Sequence, residues 1–134
     1  MAKETGITCS ITVDDSGGSA RNISNDITNF DISTPRNILI VTGLDKSAEE
    51  RLQGLADFQI NLSGVFDDGS NLAHAVLATV PSSTVARTTT FVVSGQTLAC
   101  ETFYSDYALT RAADGSLTWA APGGLSGGAV PTWA

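Results

Sequence analysis

The chain has 134 residues, with 14 acidic and 7 basic side chains and a formal net charge of −7. That balance excludes ordinary nucleic-acid binding, which needs Lys and Arg to neutralise phosphates, and no run approaches the roughly 18 consecutive apolar residues of a membrane-spanning helix. Hydrophobic residues make up 42% and charged residues only 16%, so the composition is globular while uncharged Thr, Ser and Asn must supply much of the outer surface.

The length suits one domain, taken as residues 1–134. The N-terminal Met-Ala-Lys-Glu-Thr-Gly carries no apolar signal core, so folding in the cytoplasm is expected. Under reducing conditions Cys9 and Cys100 read as small buried hydrophobes rather than as a disulfide.

Along the chain, Ile7, Cys9, Ile11 and Val13 alternate with Thr8, Ser10 and Thr12, the period-two signature of a half-buried strand. Asp14, Asp15, Ser16, Gly17, Gly18 and Ser19 end it in a turn. Residues 21–35 are polar with isolated apolar side chains at Ile23, Ile27, Phe30 and Ile32, and read as a short strand embedded in a long surface connection. After Pro35, the run Ile38-Leu39-Ile40-Val41 has the continuous apolarity of a strand covered on both faces.

Ser47-Ala48-Glu49-Glu50 is a capping box, in which Ser47 accepts from the Glu50 amide and Glu50 reaches back, so a short helix is predicted from there to Gly54. Phe58, Ile60 and Leu62 then alternate with Gln59, Asn61 and Ser63 in a strand that ends at Asp67-Asp68-Gly69. Leu72, Ala73, Val76 and Leu77 at helical spacing before Pro81 predict a second short helix, with a strand as the alternative. Residues 84–93 and 96–111 read as strands, the second long enough to bend or bulge, and Asp114-Gly115 turns the chain into a last strand at 117–121. The expected fold is all-β, an antiparallel sandwich or barrel of about seven strands with one or two short flanking α-helices.

Catalytic and cofactor chemistry is hard to find. A metal centre built on His74 lacks partners at CxxC or HxxxH spacing, and nothing near Cys9 or Cys100 signals a lowered thiol pKa. The acidic pairs Asp14-Asp15, Glu49-Glu50 and Asp67-Asp68 sit at turns or in a helix first turn and lack calcium-loop spacing. The glycine pairs, including Gly17-Gly18 and Gly127-Gly128, have no adjacent Lys and no GxGxxG pattern, so they read as turns. No enzyme activity, cofactor or metal is expected.

Two groups of residues carry a family resemblance. Val41-Thr42-Gly43-Leu44-Asp45, then Arg51-Leu52-Gln53-Gly54-Leu55-Ala56-Asp57-Phe58, then Ser63-Gly64-Val65-Phe66-Asp67, resemble the middle of small tail tube proteins from siphophages and gene transfer agents. Phe103-Tyr104-Ser105-Asp106-Tyr107, Gly115-Ser116-Leu117-Thr118-Trp119 and Pro131-Thr132-Trp133 are similar to the end of such proteins. Each piece is short, and the likeness lies in their order from about Ile7 to Trp133.

The resemblance implies a virion protein whose copies form homo-hexameric rings stacked into a tube, with other tail proteins at the tube ends and DNA passing through the lumen without specific binding. A negative balance suits such a conduit, since repulsion keeps a polyanion from sticking. Candidate contacts between subunits or rings are the loop residues Asp14, Asp15, Ser16, Gly17, Gly18, Ser19 and Arg21, together with Phe30 and Arg36. The basic residues Arg21, Arg36, Lys46, Arg51 and Arg87 are expected at subunit contacts. A capsid decoration or head-tail joining protein, and a β-sandwich binding module using Trp119 and Trp133 as a stacking platform, are the competing readings.

Overall fold

A computed structural model describes residues 7–127, 129 and 131–134. The N-terminal hexapeptide read for a signal core, and Gly128 of the Gly127-Gly128 pair, lie outside the described residues.

Alternation sets the first strand, β1 (Ser10–Asp14), which points Ile11 and Val13 into the core. It starts three residues later than the alternation suggests, leaving Ile7 exposed. Asp15 closes the following turn by accepting from the amides of Gly17 (2.9 Å) and Ser19 (3.0 Å). Gly18 takes the positive φ of 86° that this reversal needs. The chain returns as β2 (Ala20–Asn22), makes one 3-10 turn (Ser24–Asp26), and runs on as β3 (Ile27–Ser33). The stretch 21–35, expected to be mostly connection, is therefore mostly strand. Its apolar residues look isolated because only one side of β3 faces inward.

Two further strands, β4 (Arg36–Ile40) and β5 (Arg51–Ala56), form a separate two-stranded antiparallel hairpin. The predicted helix at the Ser47 capping box is absent: residues 47–50 are irregular and β5 begins at Arg51. The Glu50 amide, which Ser47 was to accept from, donates instead to Thr42 Oγ1 at 3.0 Å across the hairpin. A helix of two turns running into Gly54 recovers few hydrogen bonds for its nucleation cost, whereas the hairpin pairs Leu39 with Leu52 directly.

The remaining elements follow the sequence closely. They are β6 (Gln59–Val65), α1 (Ala73–Leu77), β7 (Arg87–Val93), β8 (Gln96–Tyr104), β9 (Ala108–Arg111) and β10 (Leu117–Leu125). The long strand expected over 96–111 breaks at residues 105–107, and both of its halves pair with β10. Ser105 N donates to Pro122 O at 2.9 Å across the break.

These strands make one antiparallel eight-stranded sheet in the order β2-β1-β7-β8-β10-β6-β3, with β9 also on β10. The sheet folds over itself: Phe30 on β3 and Phe91 on β7, far apart in strand order, have ring centroids 5.0 Å apart. The core between the layers is built from Ile11, Val13, Phe58, Ile60, Leu62, Leu98, Trp119 and Ala121, which alternate along their strands as the sequence pattern requires. Trp119 is anchored by its indole N–H, which donates to Val65 O at 3.1 Å.

Helix α1 plugs one end of this core with Ala73, Val76 and Leu77. It is tied at both ends by distant residues. Asp26 Oδ2 accepts from the Ala73 amide at 2.9 Å, and Arg87 Nη1 donates to Val76 O at 2.6 Å. No helix among the described residues is long and apolar enough to cross a membrane.

Candidate assembly surface

The chemistry-bearing side chains are used structurally. His74 Nδ1 lies 3.1 Å from Tyr107 Oη, with its ring against Phe66 at a centroid distance of 4.9 Å. Cys9 and Cys100 are half-buried rather than fully buried, and no disulfide joins them. The register keeps them at different levels of the sheet, since Ser10 faces Val92 while Cys100 faces Thr89. Burial, reinforced by the neighbouring Glu101 carboxylate, pushes the Cys100 thiol up to about 11, opposite to what a nucleophilic cysteine requires. Among the described residues no cluster of three His, Cys, Asp or Glu could hold a metal ion.

The most unusual surface is the β4–β5 hairpin. Every residue from 34 to 53 is exposed. Those residues include Ile38 (47% exposed), Leu39 (46%), Ile40 (65%), Val41 (47%) and Leu52 (58%), with Leu44 wholly exposed in the connection. The run 38–41, expected to be covered on both faces, is covered on neither by its own chain.

The hairpin itself is well made. Val41 N donates to Glu50 O at 2.9 Å, and Asp57 N donates to Pro35 O at 2.8 Å at its root. Arg36 braces that root, donating through Nη2 to Gly54 O at 2.8 Å and through Nη1 to Gln53 Oε1 at 3.1 Å. The apolar residues are thus held in a fixed, presented arrangement.

A second surface is the outward side of the large sheet. By the strand register it presents Ser10 and Thr12 on β1, Thr88 and Thr90 on β7, Ala99 and Glu101 on β8, Asn61 and Ser63 on β6, and Thr118 and Ala120 on β10. Asp31 on β3 shares this side with Asn61. No Lys or Arg occupies an outward position on any described strand of this sheet. Apart from that side, a half-open depression of about 180 Å³ lies between β1 and β3, lined by Ile7, Cys9, Ile27 and Phe30 among others.

The residues singled out from sequence do not form one surface. Asp14 ends β1, Asp15, Ser16, Gly17, Gly18 and Ser19 form the tight β1–β2 turn, and Arg21 on β2 pairs with Asp15 (Nε to Oδ2 3.2 Å). Phe30 is a half-buried ring packed on the core rather than a loop residue. Arg36 belongs to the hairpin, as do two further basic residues expected at subunit contacts, Lys46 in its connection and Arg51 on β5.

Arg87, expected at a subunit contact, is 2% exposed and spends its guanidinium inside the chain. It donates to Val76 O, to Asp14 O at 3.2 Å and to Thr79 Oγ1 at 2.8 Å. Position 87 falls on the inward side of β7, and only the tertiary arrangement brings acceptors to it. Trp119 is buried, so it offers no stacking platform, and Trp133 packs edge-on against Phe91 at 5.9 Å. The hairpin's apolar residues were missed as surface residues. Their signal was the unbroken run 38–41 followed, beyond a polar connection, by Leu52 and Leu55.

Fold and surface together define an antiparallel β-sandwich that carries a preformed apolar hairpin. Comparison of sequences finds no matching family model and no matching curated protein. Solved structures do match. A chain of the virion of a native gene transfer agent particle is similar over 98% of this chain and 99% of its own length, with a TM-score of 0.81 and 14% identity. A chain from the tail of an empty gene transfer agent particle, computed with helical refinement and C6 symmetry, is similar over the same shares, with a TM-score of 0.80 and 14% identity. This chain has the fold of those two proteins over 98% of its length.

Proposed function

We propose that the protein is a non-enzymatic structural subunit of a phage-like tail tube, assembling into hexameric rings that stack around a lumen for DNA. The observation that carries this reading is the β4–β5 hairpin, an ordered element whose apolar side chains find no cover in their own chain. A lone two-stranded hairpin is at best marginally stable in water. A contiguous exposed apolar surface on a folded protein marks a site of association. The near full-length likeness to chains of a gene transfer agent virion and of a C6-symmetric tail supports the kind of assembly. The sheet's outward positions, without Lys or Arg and bearing Asp14, Asp31 and Glu101, suit a wall along which a polyanion slides.

The tube reading places the protein in the virion tail, with other tail proteins at the ends of the tube. Purified full-length protein, examined by sedimentation velocity and negative-stain microscopy over rising concentration, should pass from monomer to six-fold rings and open-ended tubes. Such tubes arise because a heterologous contact between rings does not close. A chain that stays monomeric at the highest soluble concentration, and also with other virion components present, overturns the reading.

A further inference from the structure

We infer that the β4–β5 hairpin is clamped between two other copies of this chain, one against each of its faces, so that it sits where three subunits meet. Cross-strand partners share a face, and successive residues alternate between faces. Leu39 stands opposite Leu52, and Val41 follows on the same side. Ile38 opposite Gln53, and Ile40 opposite Arg51, lie on the other. Ile38 and Leu39, neighbours on opposite faces, are exposed almost equally, at 47% and 46%.

A hairpin folded onto one surface would bury one face and turn polar residues outward on the other. This one is apolar on both sides. Contact with one flat surface would leave one apolar face in water, so two surfaces are required to cover it.

Charge favours further copies of the chain as the occupants. The hairpin holds three basic residues (Arg36, Lys46, Arg51) and three acidic ones (Asp45, Glu49, Glu50) and is neutral, so the net charge of −7 resides entirely in the rest of the chain. A neutral apolar arm approaches an acidic copy without the like-charge repulsion that two sandwich surfaces would meet. The faces also differ in their polar residues. Arg51 and Gln53 accompany Ile38 and Ile40, while Glu50, bonded across to Val41, accompanies the leucines. The two neighbours therefore engage it with different surfaces, as expected when they are related by different symmetry operations.

This inference rests on the tube-subunit reading, and one experiment separates the two. Ile38→Cys and Leu39→Cys proteins are alkylated with a soluble maleimide as free subunits and as assembled tubes, and adducts are located by peptide mass spectrometry so that Cys9 and Cys100 are scored separately. Both sites should react in the free subunit, and both should be protected at least tenfold after assembly. Ile40→Cys and Val41→Cys repeat the comparison if a first variant fails to fold. Protection of one face with unchanged reactivity of the other overturns the clamp and leaves the tube reading standing. A wild-type chain that forms no assembly overturns both.

Discussion

Replacing Gly64 with Ala should be among the most destabilising single-methyl changes available in this protein. Gly64 lies on β6 opposite Ile27, where the β3–β6 register shifts between Ile27 and Asn29 and draws the backbone of the preceding turn against the strand. A Cβ at position 64 would stand 1.7 Å from the carbonyl oxygen of Asp26 and 2.8 Å from its carbonyl carbon. The obstacle is backbone, so no rotamer change relieves it, and the turn would have to retreat by roughly 1.3 Å or more in a close-packed interior.

Overpacking of this kind costs about 1–3 kcal/mol. The retreat also displaces Asp26, whose carboxylate accepts from the first amide of α1 at 2.9 Å. Losing a helix cap costs about 1 kcal/mol. Against these stands a gain of about 0.4–1 kcal/mol from restricting the unfolded chain. The net expectation is a loss of about 2 kcal/mol, a large part of the roughly 5–15 kcal/mol that holds a domain together. Urea unfolding followed by tryptophan fluorescence reads it, with the midpoint falling by about 1–2 M at an unchanged slope. Gly127→Ala is the control, because its Cβ would meet only Glu101 Cβ at an ordinary 3.8 Å. A loss below about 1 kcal/mol for Gly64→Ala would refute the claim that backbone contact dictates glycine here.

Arg87→Met removes the donor shared by Val76 O, Asp14 O and Thr79 Oγ1, and should cost about 2–4 kcal/mol in urea unfolding, since buried acceptors are left unpaired; a neutral result would show that water replaces the guanidinium. Burial pushes the Tyr104 phenol up to about 12, so its contribution is complete below the ordinary value of 10 and is lost as pH rises from 10 toward 12. Stability should fall by about 2–3 kcal/mol across that window, and Tyr104→Phe should flatten this alkaline limb in denaturation series at stepped pH. Asp15 is held below its ordinary 3.8 chiefly by the Ser19 amide, and Asp114 chiefly by that of Ser116. Both contributions are present above 3.8 and fade as pH falls below it, so Asp15→Asn and Asp114→Asn should be less stable than wild type at pH 6 and converge with it near pH 2, each pH setting being about one and a half units or more from that value.

Sequence periodicity alone determined which residues face the core of the main sheet. Ile11 and Val13, Ile60 and Leu62 point inward because a strand has only two sides and burial claims the apolar one. The second helix was legible in the same way, from Ala73, Val76 and Leu77 at helical spacing, and so was the reversal at Gly115, whose φ is 93°. The first helix was misread because a capping box reports only local hydrogen bonding. Thr42 lies eight residues from Glu50, yet its hydroxyl takes the Glu50 amide once the hairpin closes. Likewise nothing near Arg87 announces burial, since Val76 and Asp14 reach it through α1 and β1. The run Ile38-Leu39-Ile40-Val41 shows the division most plainly. Its composition requires cover on both faces, a demand fixed by hydrophobicity and readable from the chain. That the cover does not come from the chain itself was decided only by the tertiary structure, where β4 and β5 pair with each other outside the large sheet and the hairpin is left exposed on both sides.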